Sequence, residues 1–386
     1  MTATTEIRAS IEAGAPPRRV DFERPLVSIL GLPFDAIDIA QAVRKIRAAA
    51  FGGWRCFVST PNLNFAMVAR TDAAFRGSVL RSDLSLVDGM PLVWIARLLG
   101  LPLRERVSGA DVFEALQAHA GPPVTVYLFG GPPGAAALAG DAINQRGGGV
   151  RCVGFDTAGF GSVESMSGDA QIDRINRSGA RFVVVSLGAG KGQAWIEHNA
   201  ARLTAPVLSH LGAVVNFTAG TLRRAPRWMQ VSGLEWLWRI REEPLLWRRY
   251  RDDAAAAVGL LVARVLPDAI DGLRWRVFGR PDVFPARLEI VSTPGGQMLR
   301  LAGDWRGEGR LTALRAALTQ CAADEARLDI DLAGVTAVGN VFTGLLLVAS
   351  GWFERHGGFD IVGVTPHLAA ALRRKLVAQA LLGADR

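Results

Sequence analysis

The sequence predicts an α/β fold. A Rossmann-like parallel sheet with helices on both faces comes first, then a helical appendage, then a second, small α/β domain at the C-terminal end. Three observations carry this. Between Leu26 and Thr218, short apolar runs alternate with stretches of helical periodicity, the pattern of strands joined by crossover helices. From Thr221 to Arg251 the texture changes to eight arginines, three glutamates and four tryptophans. Beyond Pro285, strand-like and helix-like runs resume for about 100 residues, near the commonest domain size. A length of 386 residues exceeds one ordinary core and fits this division.

Residues 1–21 are polar, hold Pro16, Pro17, Arg18 and Arg19, and lack the apolar centre of a signal sequence; they read as a disordered leader. Residues 22–220 form the first domain. Its buried strands are predicted at Arg55 to Ser59, Leu84 to Val87, Val124 to Phe129, Val150 to Phe155, Phe182 to Leu187 and Pro206 to Leu211. Crossover helices are expected between them, and ligands in such folds sit at the carboxyl ends of the strands. Residues 221–266 are the Arg/Trp-rich appendage. Residues 267–284 carry Pro267 and Pro281 with Gly272 and Gly279 and read as a linker. Residues 285–386 are the second domain, with strands starting near Ala286, Gln297, Arg327 and Phe359 and helices near Arg310, Asn340 and Pro366.

The net charge is +8, and only Lys45, Lys191 and Lys375 among the 44 basic residues are lysine. A basic surface points to phosphates of nucleic acid, nucleotide or anionic lipid; a bias of base composition toward arginine is the bland alternative. Cys56, Cys152 and Cys321 are far apart and odd in number, which excludes a disulfide scaffold and favours a reducing compartment. No Cys/His cluster has metal-ligand spacing, so no metal or other cofactor is expected. The longest apolar run, Ala254 to Leu266, is interrupted by Arg264 and is shorter than the roughly 20 residues a membrane span needs. A cytoplasmic protein is expected, with contact to a membrane surface left open.

Several features carry chemistry. Gly130-Gly131 and Gly188 open glycine-rich loops after strands, suited to phosphates at a helix N-terminus or simply to tight turns. Asp88-Gly89 ends a strand, as a turn dipeptide or as a carboxylate facing the ligand crevice. Thr60-Pro61-Asn62 ends another with two hydrogen-bonding side chains. Arg104, Arg106, Ser108 and Asp111 form a polar cluster or a helix cap. Asp329 and Asp331 have the Asp-x-Asp spelling but alternate onto one face of a strand, where solvation explains them. The appendage reads either as an interfacial membrane segment or as an ordinary amphipathic helix packed on the core.

Thr60-Pro61-Asn62, Val87 to Pro91, Arg104 to Asp111, Arg224 to Trp228, Gly233 to Arg239 and Glu243-Pro244 resemble, in order and spacing, the WecG/TagA/CpsF glycosyltransferases of family 26. The resemblance runs from about Pro25 to Tyr250. It implies transfer of a sugar, of N-acetylmannosamine type or a related hexose, from a UDP-sugar to a polyprenyl-diphosphate-linked saccharide in bacterial surface polysaccharide synthesis. It also implies inversion without a metal, a place on the inner face of the cell membrane, and an appendage (221–266) that meets the membrane and closes the site. Asp88 matches the general base, with Thr60 and Asn62 beside the reacting sugars. Arg106, Asp111, Gly130, Gly131, Gly188, Gln193, Arg224, Arg239, Arg248 and Arg249 make up the implied substrate-binding set, its appendage arginines meeting the leaving diphosphate. The chain departs from the family at Gly190-Lys191-Gly192-Gln193, at Asn216 and after Pro244.

Leu328 to Thr336 with Gly344 to Leu347 resemble a STAS domain, the anti-sigma-factor-antagonist fold. Its switch loop reads Gly339-Asn340-Val341-Phe342, without a serine. That implies a protein partner or self-association in place of a phosphorylation switch. The leading expectation is therefore a glycosyltransferase with no nucleic-acid partner. The alternative, prompted by the departures, is a non-catalytic nucleotide-sugar-binding regulator acting through the STAS-like domain.

Overall fold

The computed structural model describes residues 14–157, 159, 161–242, 246–278 and 285–383, apart from the side chains at 227, 231, 246 and 249. The first domain opens with a hairpin of β1 (Leu26–Ile29) and β2 (Leu32–Asp35). Six strands follow: β3 (Cys56–Ser59), β4 (Leu84–Ser85), β5 (Val124–Gly130), β6 (Val150–Asp156), β7 (Phe182–Ser186) and β8 (Val207–His210). They form one parallel sheet in the order β4-β3-β8-β7-β5-β6. Strand alternation builds two cores. Phe182 and Val184 face the helices Ile39–Gly52, Gly109–Ala118 and Ala135–Arg146, while Val183 and Val185 face Asp169–Arg177 and Ala189–Asn199. The expected parallel sheet covered on both faces is the observed one.

The hairpin is not foreseen by the strand reading. Its turn places Leu30 and Gly31 at positive φ (50° and 83°), the two-residue geometry that suits strand twist. Across its open end, Arg24 and Asp35 form a buried pair, with Nη2 to Oδ2 at 2.7 Å. The leader is also ordered where it is described. Arg18 pairs with Asp83 at 3.2 Å and Arg19 lies 5.0 Å from the Trp54 ring, so residues 14–21 are fixed to the body by arginine contacts. Residues 1–13 lie outside the described residues.

The second domain is a four-stranded sheet in the order β12-β11-β10-β9, with β9 (Arg287–Thr293) antiparallel to β10 (Gly296–Trp305) and both β11 (Arg327–Val338) and β12 (Phe359–Val362) parallel. Asp329 and Asp331 stand on the partly exposed face of β11. Asp329 accepts from Arg327 Nε at 3.0 Å and Asp331 from the Ala333 amide at 2.9 Å, as expected of a solvated face. Helix Asn340–Phe353 is apolar nearly all round and buried from Phe342 onward, which requires cover on two sides. One side is its own sheet; the other is the first domain. A β-carbon added at Gly344 would lie 2.8 Å from the Val27 carbonyl carbon, and one at Gly351 would lie 2.5 Å from the Leu80 carbonyl oxygen. These glycines, seven apart on one face, let the helix press on β1 and on the end of helix Ala73–Leu80. Thr343 Oγ1 meets Ser28 Oγ at 2.6 Å, and Arg315 donates to the carbonyls of Phe22 (2.8 Å) and Arg24 (2.7 Å).

The appendage consists of helices Arg227–Val231 and Glu235–Glu242, then Leu246–Leu260, which runs through a π turn, Leu261–Val265, into Leu266–Phe278. The linker expected over 267–284 is therefore helix as far as Phe278. Pro267 has no N–H for the carbonyl four residues back, and the π turn immediately before it absorbs that loss and lets the helix continue. Residues 279–284 lie outside the described residues. Val258, Val262, Leu266, Ile270, Leu273 and Val277 line this rod as a stripe, each between 37% and 61% exposed. Steps of four residues drift by about 40° on a regular α-helix, and the wider π turn takes that drift back, so the stripe stays on one face. Among the described residues, no helix is long and apolar enough to cross a membrane.

Candidate active site

Two strand ends run side by side at the carboxyl edge of the sheet. After β3, Thr60 is buried and Asn62 caps helix Leu63–Val68, its Oδ1 accepting from the Phe65 amide at 3.1 Å. After β4, the Leu86 amide donates to the Ser59 carbonyl at 2.8 Å and the Asp88 amide to the Pro61 carbonyl at 2.9 Å. These bonds hold Asp88 against the Thr-Pro-Asn turn. Gly89 follows at φ 133°, a backbone position that only glycine adopts easily, and a β-carbon there would come within 3.9 Å of the Asn62 Cβ.

Among the described residues the Asp88 carboxylate has no hydrogen-bond or ion-pair partner. Burial pushes it up to about 7; Arg106 and Arg224 oppose the shift, and the charges of Glu235 and Asp111 add to it. A carboxyl poised there exchanges a proton near neutrality.

Around it lies a chain of ion pairs. Arg106 pairs with Asp111 at 2.9 Å and, on its other nitrogen, with Glu235 from the appendage. Arg224 pairs with Asp111 and, at 2.6 Å, with Glu114. Ser108 caps helix Gly109–Ala118, and its hydroxyl donates to Asp111 at 2.5 Å. Burial works to raise the Asp111 carboxyl, but the Ser108 hydroxyl, Arg106 and Arg224 hold it below the usual carboxylate range. The helix-cap reading of this cluster is correct, and its residues form the ion-pair chain beside Asp88.

The glycine loops divide. Gly130 and Gly131 have φ of 97° and 88°, the Gly131 amide donates to the Ser186 carbonyl at 2.8 Å, and a β-carbon on Gly130 would lie 2.6 Å from that same oxygen. They form a tight turn that packs the end of β5 on β7. Gly188 has an ordinary φ of −61°, open space beside it, and leads helix Ala189–Asn199 without a side-chain cap. Gln193, on that helix, is buried; its Nε2 donates to Ser59 Oγ at 2.8 Å, while its Oε1 has no partner among the described residues. Asn216 Oδ1 is unpartnered in the same way. Arg239 lies 5.8 Å from the Phe217 ring, next to Asn216. Arg248 is exposed on the long helix, apart from the ion-pair chain, and the Arg249 side chain lies outside the described residues.

Thr60, Asn62, Asp88, Arg106, Asp111 and Arg224 are thus brought together, with Gln193 one residue behind Thr60. Glu235 was missing from the expected set. Its partner Arg106 is 129 residues away, so no spacing reveals it. Its place inside the Gly233 to Arg239 segment was the one signal available.

The Glycosyl transferase WecG/TagA/CpsF family model matches residues 27–269, and the Mlab, STAS domain model matches residues 289–382. Over 194 residues the chain is 26% identical to the N-acetylglucosaminyldiphosphoundecaprenol N-acetyl-beta-D-mannosaminyltransferase of Bacillus spizizenii, covering 50% of this chain and 74% of that protein. The crystal structure of an anti-sigma factor antagonist from Mycobacterium paratuberculosis is similar at 20% identity over 26% of this chain and 86% of that one, with a TM-score of 0.24.

Proposed function

The chain belongs to the WecG/TagA/CpsF glycosyltransferase family and is a glycosyltransferase, and from that premise we propose that it moves an N-acetylmannosamine-type or related hexose from a UDP-sugar to a polyprenyl-diphosphate-linked saccharide with inversion, in surface polysaccharide synthesis. The observation that carries this reading is the partnerless Asp88 carboxylate at the strand ends, flanked by Thr60, Asn62 and two arginines. Asp88 takes the proton of the acceptor hydroxyl as that oxygen attacks the anomeric carbon; the bond from that carbon to the diphosphate breaks, and UDP departs with its electron pair. Arg106 and Arg224 meet the charge that develops there. The free acceptor atoms of Gln193 and Asn216 are hydrogen-bonding capacity for the sugars, since a buried polar atom without a partner costs about 1–3 kcal/mol.

The acceptor class is that named for the Bacillus spizizenii relative. A lipid-linked acceptor calls for a membrane-facing surface. Trp228, 65% exposed, together with Trp236, Trp247, the apolar stripe and a net +5 between Thr221 and Arg251, suits the headgroup region of an anionic bilayer on the inner face of the cell membrane. Incubating the full chain with UDP-N-acetylmannosamine or other UDP-sugars and a polyprenyl-diphosphate-linked N-acetylglucosamine should give a product heavier by one sugar in mass spectra. Binding of UDP-sugars without any product would replace this reading by the non-catalytic regulator. Sedimentation with phosphatidylglycerol vesicles should be lost when the exposed tryptophans are replaced by serine; retained sedimentation would remove the membrane assignment.

A further inference from the structure

The long appendage helix touches the first domain at two places and then the second. Near its start, Asp253 accepts from Asn64 Nδ2 at 3.3 Å, two residues past Asn62. Midway, Leu260 and Val265 are buried with Val87 and Leu92, on either side of Asp88 in the chain. At its far end Asp268 is gripped by the second domain. Lys375 Nζ lies 2.5 Å from one Asp268 oxygen and 2.8 Å from Asn340 Oδ1, and Asn340 Nδ2 donates to the other Asp268 oxygen at 3.2 Å. Lys375 and Asp268 are only 9% and 12% exposed, so their charges depend on each other rather than on water. Arg374 pairs with Asp271 at 3.1 Å, and the Arg306 guanidinium lies 5.2 Å from the Trp275 ring.

Asn340 stands where the STAS resemblance puts the switch, at the start of a helix whose Gly344 and Gly351 are already pressed on the first domain. We propose that the C-terminal domain is a clamp acting in cis: Lys375 and Asn340 hold Asp268, and through the rod they keep the appendage where Glu235 reaches Arg106 beside Asp88. The occupant of this end of the domain is the chain's own appendage, not a second protein or a second copy. Lys375, Asn340 and Asp268 are positioning residues, since they touch none of the reacting groups. The catalytic consequence rests on the transferase reading; the clamp itself does not.

The test uses the full chain and two variants on opposite sides of the joint, Asp268→Ala and Lys375→Met, followed by hydrogen exchange. Asp268 lies outside the second domain, so its loss leaves that domain's own packing intact. In both variants the amides of Glu235–Glu242 and Leu266–Phe278 should exchange about ten-fold faster or more, while in Asp268→Ala β11 and helix Asn340–Phe353 keep their protection. Unchanged protection of the appendage in both variants overturns the clamp. Equal loss across Asn340–Phe353 in Asp268→Ala also overturns it, because the pair would then be a prop for the domain. Where the wild type transfers sugar, both variants should lose kcat about five- to ten-fold with little change in acceptor KM; an unchanged kcat removes the catalytic consequence. A wild type that transfers nothing refutes the transferase reading and leaves the exchange result to decide on the clamp.

Discussion

Along β10 and β11 and just beyond their carboxyl ends the polar side chains are spent on partners within the chain. Asp304 takes the Arg306 amide at 2.9 Å and its guanidinium at 2.6 Å, Asp331 takes the Ala333 amide, and Asn340 is joined to Lys375 and Asp268. At the carboxyl ends of the larger sheet the opposite holds. Asp88 has no partner among the described residues, and Gln193 and Asn216 each keep an acceptor atom unused. Both sheets are parallel at this edge and both are well packed, so fold alone does not explain the difference. An acceptor left unmatched beside a strand end is capacity that a ligand can use, which supports proposing the chemistry at the larger sheet.

The contrast can be broken in four ways, from the largest effect down. Asp88→Asn should lower kcat about 10²–10⁴-fold with binding of UDP-sugar retained, measured by steady-state transfer and titration; intact turnover would remove Asp88 as the base. Arg315→Met should cost about 2–4 kcal/mol in urea unfolding, because the carbonyls of Phe22 and Arg24 lose their buried donor. A loss near zero would mean that the seam does not hold the domains.

The third concerns pH and has the opposite sign for stability. Asp88 rises from 3.8 unfolded to about 7 folded, so between those values the folded chain holds a proton that the unfolded chain has released. The stability this contributes is complete below about pH 4 and is lost as pH climbs through about 7. Asp88→Asn should therefore melt above the wild type at pH 8, by roughly 2–4 kcal/mol, and match it near pH 4. The rate should run the other way, rising about ten-fold per pH unit below 7 and levelling above it. Equal melting at pH 8 would show that Asp88 is solvated. The smallest effect is expected for Asp331→Asn, which should leave transfer untouched and cost about 0.5–1 kcal/mol by thermal melting. A drop in transfer there would erase the distinction between the sheets.

Much of this was legible in the sequence because burial leaves a simple mark. β3, β5, β7, β8 and the Leu84 to Val87 run that contains β4 are short and apolar, and Asp88 and Thr60 could be placed at strand ends from those runs alone. The Gly130-Gly131 turn and the Gly188 opening read alike, since composition does not distinguish a glycine that packs backbone on backbone from one that leaves space. Glu235 and Asp268 were illegible for another reason: each acts through a partner more than a hundred residues away, Arg106 and Lys375, and a single sequence carries no record of distance in space. Pro267 misled because a proline normally ends a helix, and the π turn that rescues it has no signature of its own. The hairpin β1–β2 is four residues a side, too short for alternation to stand out.

Gly344 and Gly351 have a consequence for how portable the catalytic unit is. With no side chain between the helix and the backbone of β1, the two domains share a single interior, and Phe22, Leu26 and Leu80 belong to the core of the second as much as to the first. A chain cut after Phe278 would present these residues to water along the whole length of the seam. The transferase half of this protein is not a cassette that can be lifted out and joined elsewhere; anyone grafting it has to take helix Asn340–Phe353 along as part of its foundation.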